Sequence, residues 1–340
     1  MSSWQIIEGD CLQVMPTLPD NSVSLICTDP PYYRVKNEPW DRQWDSAEGF
    51  IEWFGLLCAE WQRILKPNGS LYVFASPKMA ARVECKTAEF FEVLNRIRWV
   101  KEAGWHNKTD KEMVRSYLSP WEEIIFAEHY GADNMAKGEA GYAAKCDELR
   151  GFVFEPLRAY LDGEKARADW STRRVAEEYQ KVTGSRTVTG MAGHWFSRVQ
   201  WTLPTAENYQ WLRDLFNSRN SGGYLTREYE DLRTEYEDLR RPFSVTADVP
   251  YTDVWDFPTV KPYAGKHPCE KPLAMLEHIV TASSREGDTV LDCFCGSGAT
   301  GEAAVKYGRE FIGIELSEHW CQRSEERIRE AENPTQLNLI

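Results

Sequence analysis

The sequence predicts an α/β fold, a doubly wound parallel sheet that carries a mainly helical insertion. Three observations predict it. An apolar run, Val23-Ser24-Leu25-Ile26-Cys27, ends in the loop Asp29-Pro30-Pro31-Tyr32. Near the other end, Thr289 to Gly301 reads as a buried strand, a glycine-rich turn and the start of a helix. Between the two, apolar runs of strand length alternate with segments of helical spacing.

The residue types of the first loop suit it to hold an amino group on a flat ring. An exocyclic amine on adenine or cytosine is a poor nucleophile, because its lone pair is delocalised into the ring. Hydrogen bonds from its N–H groups to an acceptor draw that pair out, and the Asp29 carboxylate and a Pro carbonyl are such acceptors. Pro30 and Pro31 fix their own φ angles and keep carbonyls free to face a ligand. Tyr32 can stack on the ring, a contact worth roughly 1–3 kcal/mol per base. That pairing suits an enzyme that takes its target out of the duplex. An ordinary Pro-Pro turn is the plainer reading of the same four residues.

Further along, Lys36 to Asp45 is polar with two tryptophans, Trp40 and Trp44, and either closes over the site or packs on the domain. Phe50 to Leu65 has helical spacing and ends at Lys66-Pro67-Asn68-Gly69, a helix stop. Leu71-Tyr72-Val73-Phe74 follows as a buried strand. Phe90 to Val100 and Trp121 to Ala127 are expected to form a last, antiparallel pair. Near the end of the chain, Glu310 to Glu315 is a short apolar strand ending in an acid placed for ribose hydroxyls. Strand, glycine turn, helix, strand and acid is the logic of a nucleotide-binding unit. The full dinucleotide spacing and a Walker Lys-Ser pair are both missing, so a small adenosine cofactor without a pyrophosphate fits better than NAD or ATP.

With both motifs in hand, the chain resembles the S-adenosylmethionine-dependent DNA amino-methyltransferases, of the adenine-N6 or cytosine-N4 type. The turn Phe294-Cys295-Gly296-Ser297-Gly298 resembles their cofactor loop, and Asp29-Pro30-Pro31-Tyr32 their catalytic loop. The catalytic loop comes first, an order that resembles the permuted beta group. The likeness covers roughly the first 130 and last 80 residues. It implies a seven-stranded-type Rossmann-like methyltransferase sheet, S-adenosylmethionine as cofactor, double-stranded DNA as partner, and direct transfer of the methyl group to the amine.

The resemblance also implies site residues. Asp29, Pro30, Pro31 and Tyr32 are expected to be catalytic, and Asp292, Phe294, Cys295, Gly296, Ser297, Gly298, Thr300 and Glu315 to hold the cofactor. Such a sheet needs one more strand, found in Trp4 to Cys11, which makes Asp10 and Cys11 candidates for the adenine pocket. Asp10 also reads as the cap of a helix from Cys11 to Leu18. Lys271 and Pro272, in Lys266-His267-Pro268-Cys269-Glu270-Lys271-Pro272, resemble the motif that binds the methionine part of the cofactor. Pro268-Cys269 resembles the nucleophile of cytosine-C5 enzymes but stands far from the catalytic loop, so Cys269 is not assigned that role.

The domain reading is 1–130 for the catalytic part, 131–250 for an inserted target-recognition region, and 251–340 for the cofactor-binding part. The chain of 340 residues has net charge −13, so any DNA-binding surface must be local. From Arg158 to Trp201 eight basic residues face five acidic ones, with His194, Trp195 and Trp201 adding aromatic and hydrogen-bonding groups. Arg173, Arg174, Arg186, His194 and Arg198 are the DNA-binding candidates. Ser171 can cap a helix through Gln180, Gly184 fits a turn, and a second helix can run to Phe196. This is either a groove reader of helix-turn-helix type or a helical subdomain packed on the core. The near-copied heptads Arg227 to Arg233 and Thr234 to Arg240 give one apolar stripe, for a homodimer contact or for packing on the same chain.

Nine scattered cysteines fit free thiols in a reducing cytoplasm, no metal site is expected, and no apolar run is of membrane length. The adenine assignment leans on Asp at the head of the loop, since the N4-cytosine enzymes more often carry Ser there. Besides N6-adenine methylation the sequence allows N4-cytosine methylation, a DNA-binding regulator with little turnover, and methylation of a protein amide. A cognate restriction nuclease is left open.

Overall fold

The computed structural model describes residues 3–101, 112, 114–129, 154–184, 191–197, 201–219, 222–245 and 251–332. Contacts divide the chain into two units, Met1–His129 with Pro242–Ile340, and Tyr130–Arg241.

The first unit is built on one sheet. Its strands are β1 (Trp4–Glu8), β2 (Val23–Thr28), β3 (Leu65–Ala75), β4 (Glu92–Val100), β5 (Trp121–Glu128), β6 (Val254–Trp255), β7 (Thr289–Asp292) and β8 (Glu310–Glu315). The order is β1-β8-β7-β2-β3-β5-β4-β6. Strands β1, β8, β7, β2 and β3 are parallel, and β5 is antiparallel to both β3 and β4. The N-terminal strand thus pairs with the strand that ends in Glu315, as Ile7 beside Ile314 illustrates. The eighth strand, beyond the seven expected, is the two-residue β6 on the edge of β4.

Both faces of the sheet are covered. Along β2 the side chains alternate, Ile26 entering one apolar cluster and Leu25 with Cys27 the other. The first cluster takes the face of helix Ala47–Ile64 that carries Phe50, Phe54, Leu57 and Trp61, all buried. That helix starts where the Ser46 hydroxyl accepts from the Gly49 N–H at 3.0 Å. The second cluster takes helices Leu273–Ser283 and Ala299–Lys306.

Where the sequence suggests a helix stop at Lys66 to Gly69, the helix ends at Ile64 and β3 begins at once with Leu65. Val23 pairs with Leu65 and Leu25 with Ser70, so the Pro-Asn-Gly segment forms an irregularity inside the strand. Proline cannot donate to the ladder, and such a bulge is where a strand tolerates it.

In the second unit every described regular element is a helix: Glu155–Arg167, Thr172–Thr183, Met191–His194, Ala206–Asn217 and Tyr229–Leu239. Ser171 caps the second of these, and Gly184 closes it at φ +65°. Trp170, Trp195, Trp201, Tyr209, Phe216 and Leu232 fill the unit's core. The heptad stripe packs on that core, with Leu232 buried and Tyr229, Tyr236 and Leu239 against it. Among the described residues no helix is long and apolar enough to cross a membrane.

Candidate active site

Parallel strands leave their C-terminal ends as a row of loops, and a crevice opens where neighbouring strands send their chains in opposite directions. Here that point lies between β7, whose chain crosses to β8, and β2, whose chain crosses to β3. A cavity of about 1400 Å3 opens there, lined by residues just past the ends of β1, β8, β7, β2 and β3. A pocket for one small ligand measures roughly 300–1,000 Å3, so this cavity has room for more than one. Asp29, Pro30, Pro31, Tyr32, Asp10, Cys11, Lys271, Asp292, Phe294, Cys295, Gly296, Ser297, Thr300 and Glu315 all line it.

The two motif loops are tied together beneath the cavity. Thr28 Oγ1, at the end of β2, donates to Asp292 Oδ1 at 2.9 Å across 264 residues of chain. The same oxygen accepts from the Phe294 N–H at 3.1 Å, and Thr300 Oγ1 donates to Oδ2 at 2.7 Å. Asp292 thereby shapes the glycine turn, while its burial raises its pKa to about 6 despite these hydrogen bonds.

Gly296 and Gly298 have φ of +49° and +74°. A Cβ on Gly296 would stand 3.1 Å from the His267 ring, and one on Gly298 would stand 2.8 Å from Ser324 Cα. Glu315 Oε2 accepts from the Gly296 N–H and Oε1 from the Ser317 N–H, each at 3.0 Å. The turn, the strand-end acid and the ring of His267 together form a cradle with backbone exposed at its floor. His267 is neutral, its pKa lowered to about 4 first by burial and then by Lys271.

Around Asp29 the charges are dense. Lys271 Nζ donates to Asp29 Oδ2 and lies 3.4 Å from Glu122 Oε2, and Lys101 pairs with Glu122 on its other side. Asp29 Oδ1 is buried without a hydrogen-bond partner among the described residues. Burial, helped by Glu122, raises the Asp29 pKa against the pull of Lys271. Burial would also raise Glu122, but Lys271 and Lys101 outweigh it and hold that carboxyl down at about 2. The Tyr32 hydroxyl donates to Glu122 Oε2 at 3.1 Å and stays protonated, since burial and both carboxylates push its pKa well up.

Some expected residues stand elsewhere. Gly298 and Pro272 are outside the cavity lining: Gly298 lies against Ser324, and Pro272 opens helix Leu273–Ser283. Lys271 sits on the catalytic loop as well as in the cavity wall. Asp10 caps the short helix Cys11–Val14 through its contact with the Leu12 N–H at 2.9 Å, so its two readings hold together. In the helical unit Arg173 and Arg174 are exposed, and His194 is half-buried. Arg186 and Arg198 lie outside the described residues. Trp195 and Trp201 are core, the Trp201 indole donating to the Trp195 carbonyl at 2.9 Å. Arg158 and Lys165, counted above as basic surface, are buried in ion pairs with Glu155 and Asp162.

Sequence reasoning missed Glu122, Thr28 and Asp41. A signal existed for the first, because two acids opening an otherwise apolar strand, Glu122-Glu123, ask for a partner.

Residues 23–326 match the family model described as DNA methylase. The DNA adenine methyltransferase YhdJ of Escherichia coli K12 is 26% identical over 329 residues, covering 95% of this chain and 82% of that protein. The type II methyltransferase M2.DpnII of Streptococcus pneumoniae is 46% identical over 86 residues, 24% of this chain and 32% of that one. Among solved structures, the DNA modification methylase TTHA0409 of Thermus thermophilus, complexed with S-adenosyl-L-methionine, superposes with a TM-score of 0.50 at 19% identity. That match covers 96% of this chain and 93% of that one. The cytosine-N4-specific PvuII DNA methyltransferase superposes at 0.52 with 14% identity, over 98% and 92%.

Proposed function

The chain belongs to the DNA methylase family, the S-adenosylmethionine-dependent DNA amino-methyltransferases, and from that premise we propose that it methylates N6 of adenine in DNA by direct attack of a flipped base. The observation that carries this reading is the unpartnered, buried Asp29 Oδ1 in a cavity shared with the glycine turn.

The cradle fits the cofactor. Glu315, at the end of β8, keeps lone pairs for ribose hydroxyls, Asp10 and Cys11 close the adenine side, and the exposed backbone of Cys295 to Ser297 admits close approach. When bound, S-adenosylmethionine supplies an electrophilic methyl group on a positively charged sulfur. The chain's own part is to present the amine. Asp29 Oδ1 and the Pro30 carbonyl accept from the amine N–H groups and draw its lone pair out of the ring. Tyr32, tied by its hydroxyl to Glu122, stacks on the base. Asp29, with its raised pKa, is suited to take the proton that the methylated nitrogen sheds. Adenine is favoured by the Asp at the head of the loop. The helical unit is the proposed target-recognition element, with Arg173 and Arg174 on phosphates.

The test is to incubate the protein with S-adenosylmethionine and unmethylated mixed-sequence DNA, digest to nucleosides and identify the product by mass spectrometry. N6-methyladenine is expected, whereas N4-methylcytosine would overturn the base assignment. Asp29→Ala should slow turnover by at least about 100-fold and leave DNA binding in a gel-shift assay intact.

A further inference from the structure

The segment that follows the catalytic loop has an unusual backbone. Tyr33 and Arg34 both have φ of +61°, a left-handed conformation in two successive non-glycine residues. Side chains with a Cβ avoid this region, so something outside the two residues must hold them there.

That something is Asp41. It belongs to the turn Pro39–Asp41 and is 0% exposed. Its Oδ1 accepts from the Tyr32 N–H at 2.7 Å, and its Oδ2 from the Val35 and Lys36 N–H groups, both at 2.6 Å. Its backbone carbonyl accepts from the Arg34 N–H at 2.7 Å. Four amide groups of the segment 32–36 therefore converge on one residue. The described residues place no cation in an ion pair with this carboxylate, so backbone dipoles balance its charge. Arg34 adds hydrogen bonds to the carbonyls of Trp44 at 3.3 Å and Asp45 at 3.0 Å, and Arg42 one to the Lys36 carbonyl at 3.2 Å.

We propose that Asp41 is a positioning residue for methyl transfer, its carboxylate clamping the backbone of Tyr32 to Lys36 so that Tyr32 faces the cavity. The inference rests on the reading of Tyr32 as the stacking residue. A carboxylate is required at this place because both of its oxygens accept. An Asn would turn its NH2 toward one set of N–H donors, and donor would face donor.

Asp41→Asn tests this, beside the wild type in the same methylation assay. Turnover is expected to slow by about 30-fold or more, a positioning loss within the range of a 1 Å misplacement, with the affinity for S-adenosylmethionine changed by less than about twofold and the thermal midpoint kept. Trypsin should also gain cleavage at Arg34, Lys36 or Arg42. Unchanged turnover with unchanged trypsin resistance would overturn the proposal. So would a fall in cofactor affinity and thermal midpoint alongside turnover, because that marks a structural role only.

Hydrogen exchange on the wild type decides the case in which the variant does not fold. The amides of Tyr32, Arg34, Val35 and Lys36 are expected to exchange slowly for a loop, and rapid exchange would sink the clamp. A wild type that makes no methylated base would defeat the functional reading, while the exchange and trypsin results still decide whether Asp41 holds the loop.

Discussion

Lys271 stands between two buried carboxylates, and its removal would leave Asp29 and Glu122 facing each other with only Lys101 near. Breaking a buried ion pair from one side typically costs about 3–5 kcal/mol, so Lys271→Met should lose most of its stability in urea unfolding as well as its activity. The Lys271 motif was legible because it is local. Its partner Glu122 lies 149 residues away, on a strand whose pairing no local pattern specifies. Asp292 allows a cleaner test. Its folded pKa of about 6 lies above the ordinary aspartate value of 3.8, so the folded state binds the proton more tightly than the unfolded chain. Its ionisation therefore opposes folding above pH 6, by about 3 kcal/mol, and this opposition fades as pH falls from 6 toward 4. Urea unfolding of the wild type and Asp292→Asn should show the variant gaining on the wild type at pH 7.5, with the gain shrinking at pH 5.

Among the elements, the glycine turn was read most fully from sequence, because an apolar strand, a cluster of small residues and a helix stand in an uninterrupted row. Its close approach to helix Glu318–Glu332 was not legible. A Cβ at Gly298 would meet backbone as well as the side chain of Ser324, at a φ that only glycine adopts freely. Gly298→Ala should cost about 1–3 kcal/mol and weaken cofactor binding, as thermal unfolding and titration calorimetry would show. The helix Ala47–Ile64 was legible from its spacing, whereas the early start of β3 was not. Pairing with β2 extends that strand back to Leu65, and tertiary pairing overrides the local Pro-Asn-Gly signal. In the helical unit the Ser171 and Gly184 caps were legible for the same local reason, yet composition could not tell a surface tryptophan from a core one. Trp195 and Trp201 have the latter place.

Across the whole molecule, a net charge of −13 makes DNA affinity depend on a few exposed cations. Replacing Arg173 and Arg174 together by Ala should weaken DNA binding and lower the slope of log K against log salt by about two, with cofactor affinity unchanged. The doubly wound plan was legible because strand and helix patterns alternate, and the order of the strands because the two motif loops had to meet. That meeting has a consequence for how the chain is made. Ser24 and Thr28 on β2 bond to Asp288 and Asp292 beside β7, partners 264 residues later in the chain. At a synthesis rate of about 5–20 residues per second, β2 waits on the order of ten to sixty seconds for its neighbour to emerge. It is a strand of six residues, all buried in the finished protein, so for that interval one of its edges is uncovered. The chain is thus most exposed to wrong pairing while it is still on the ribosome, and the two halves of its catalytic centre meet only near the end of translation.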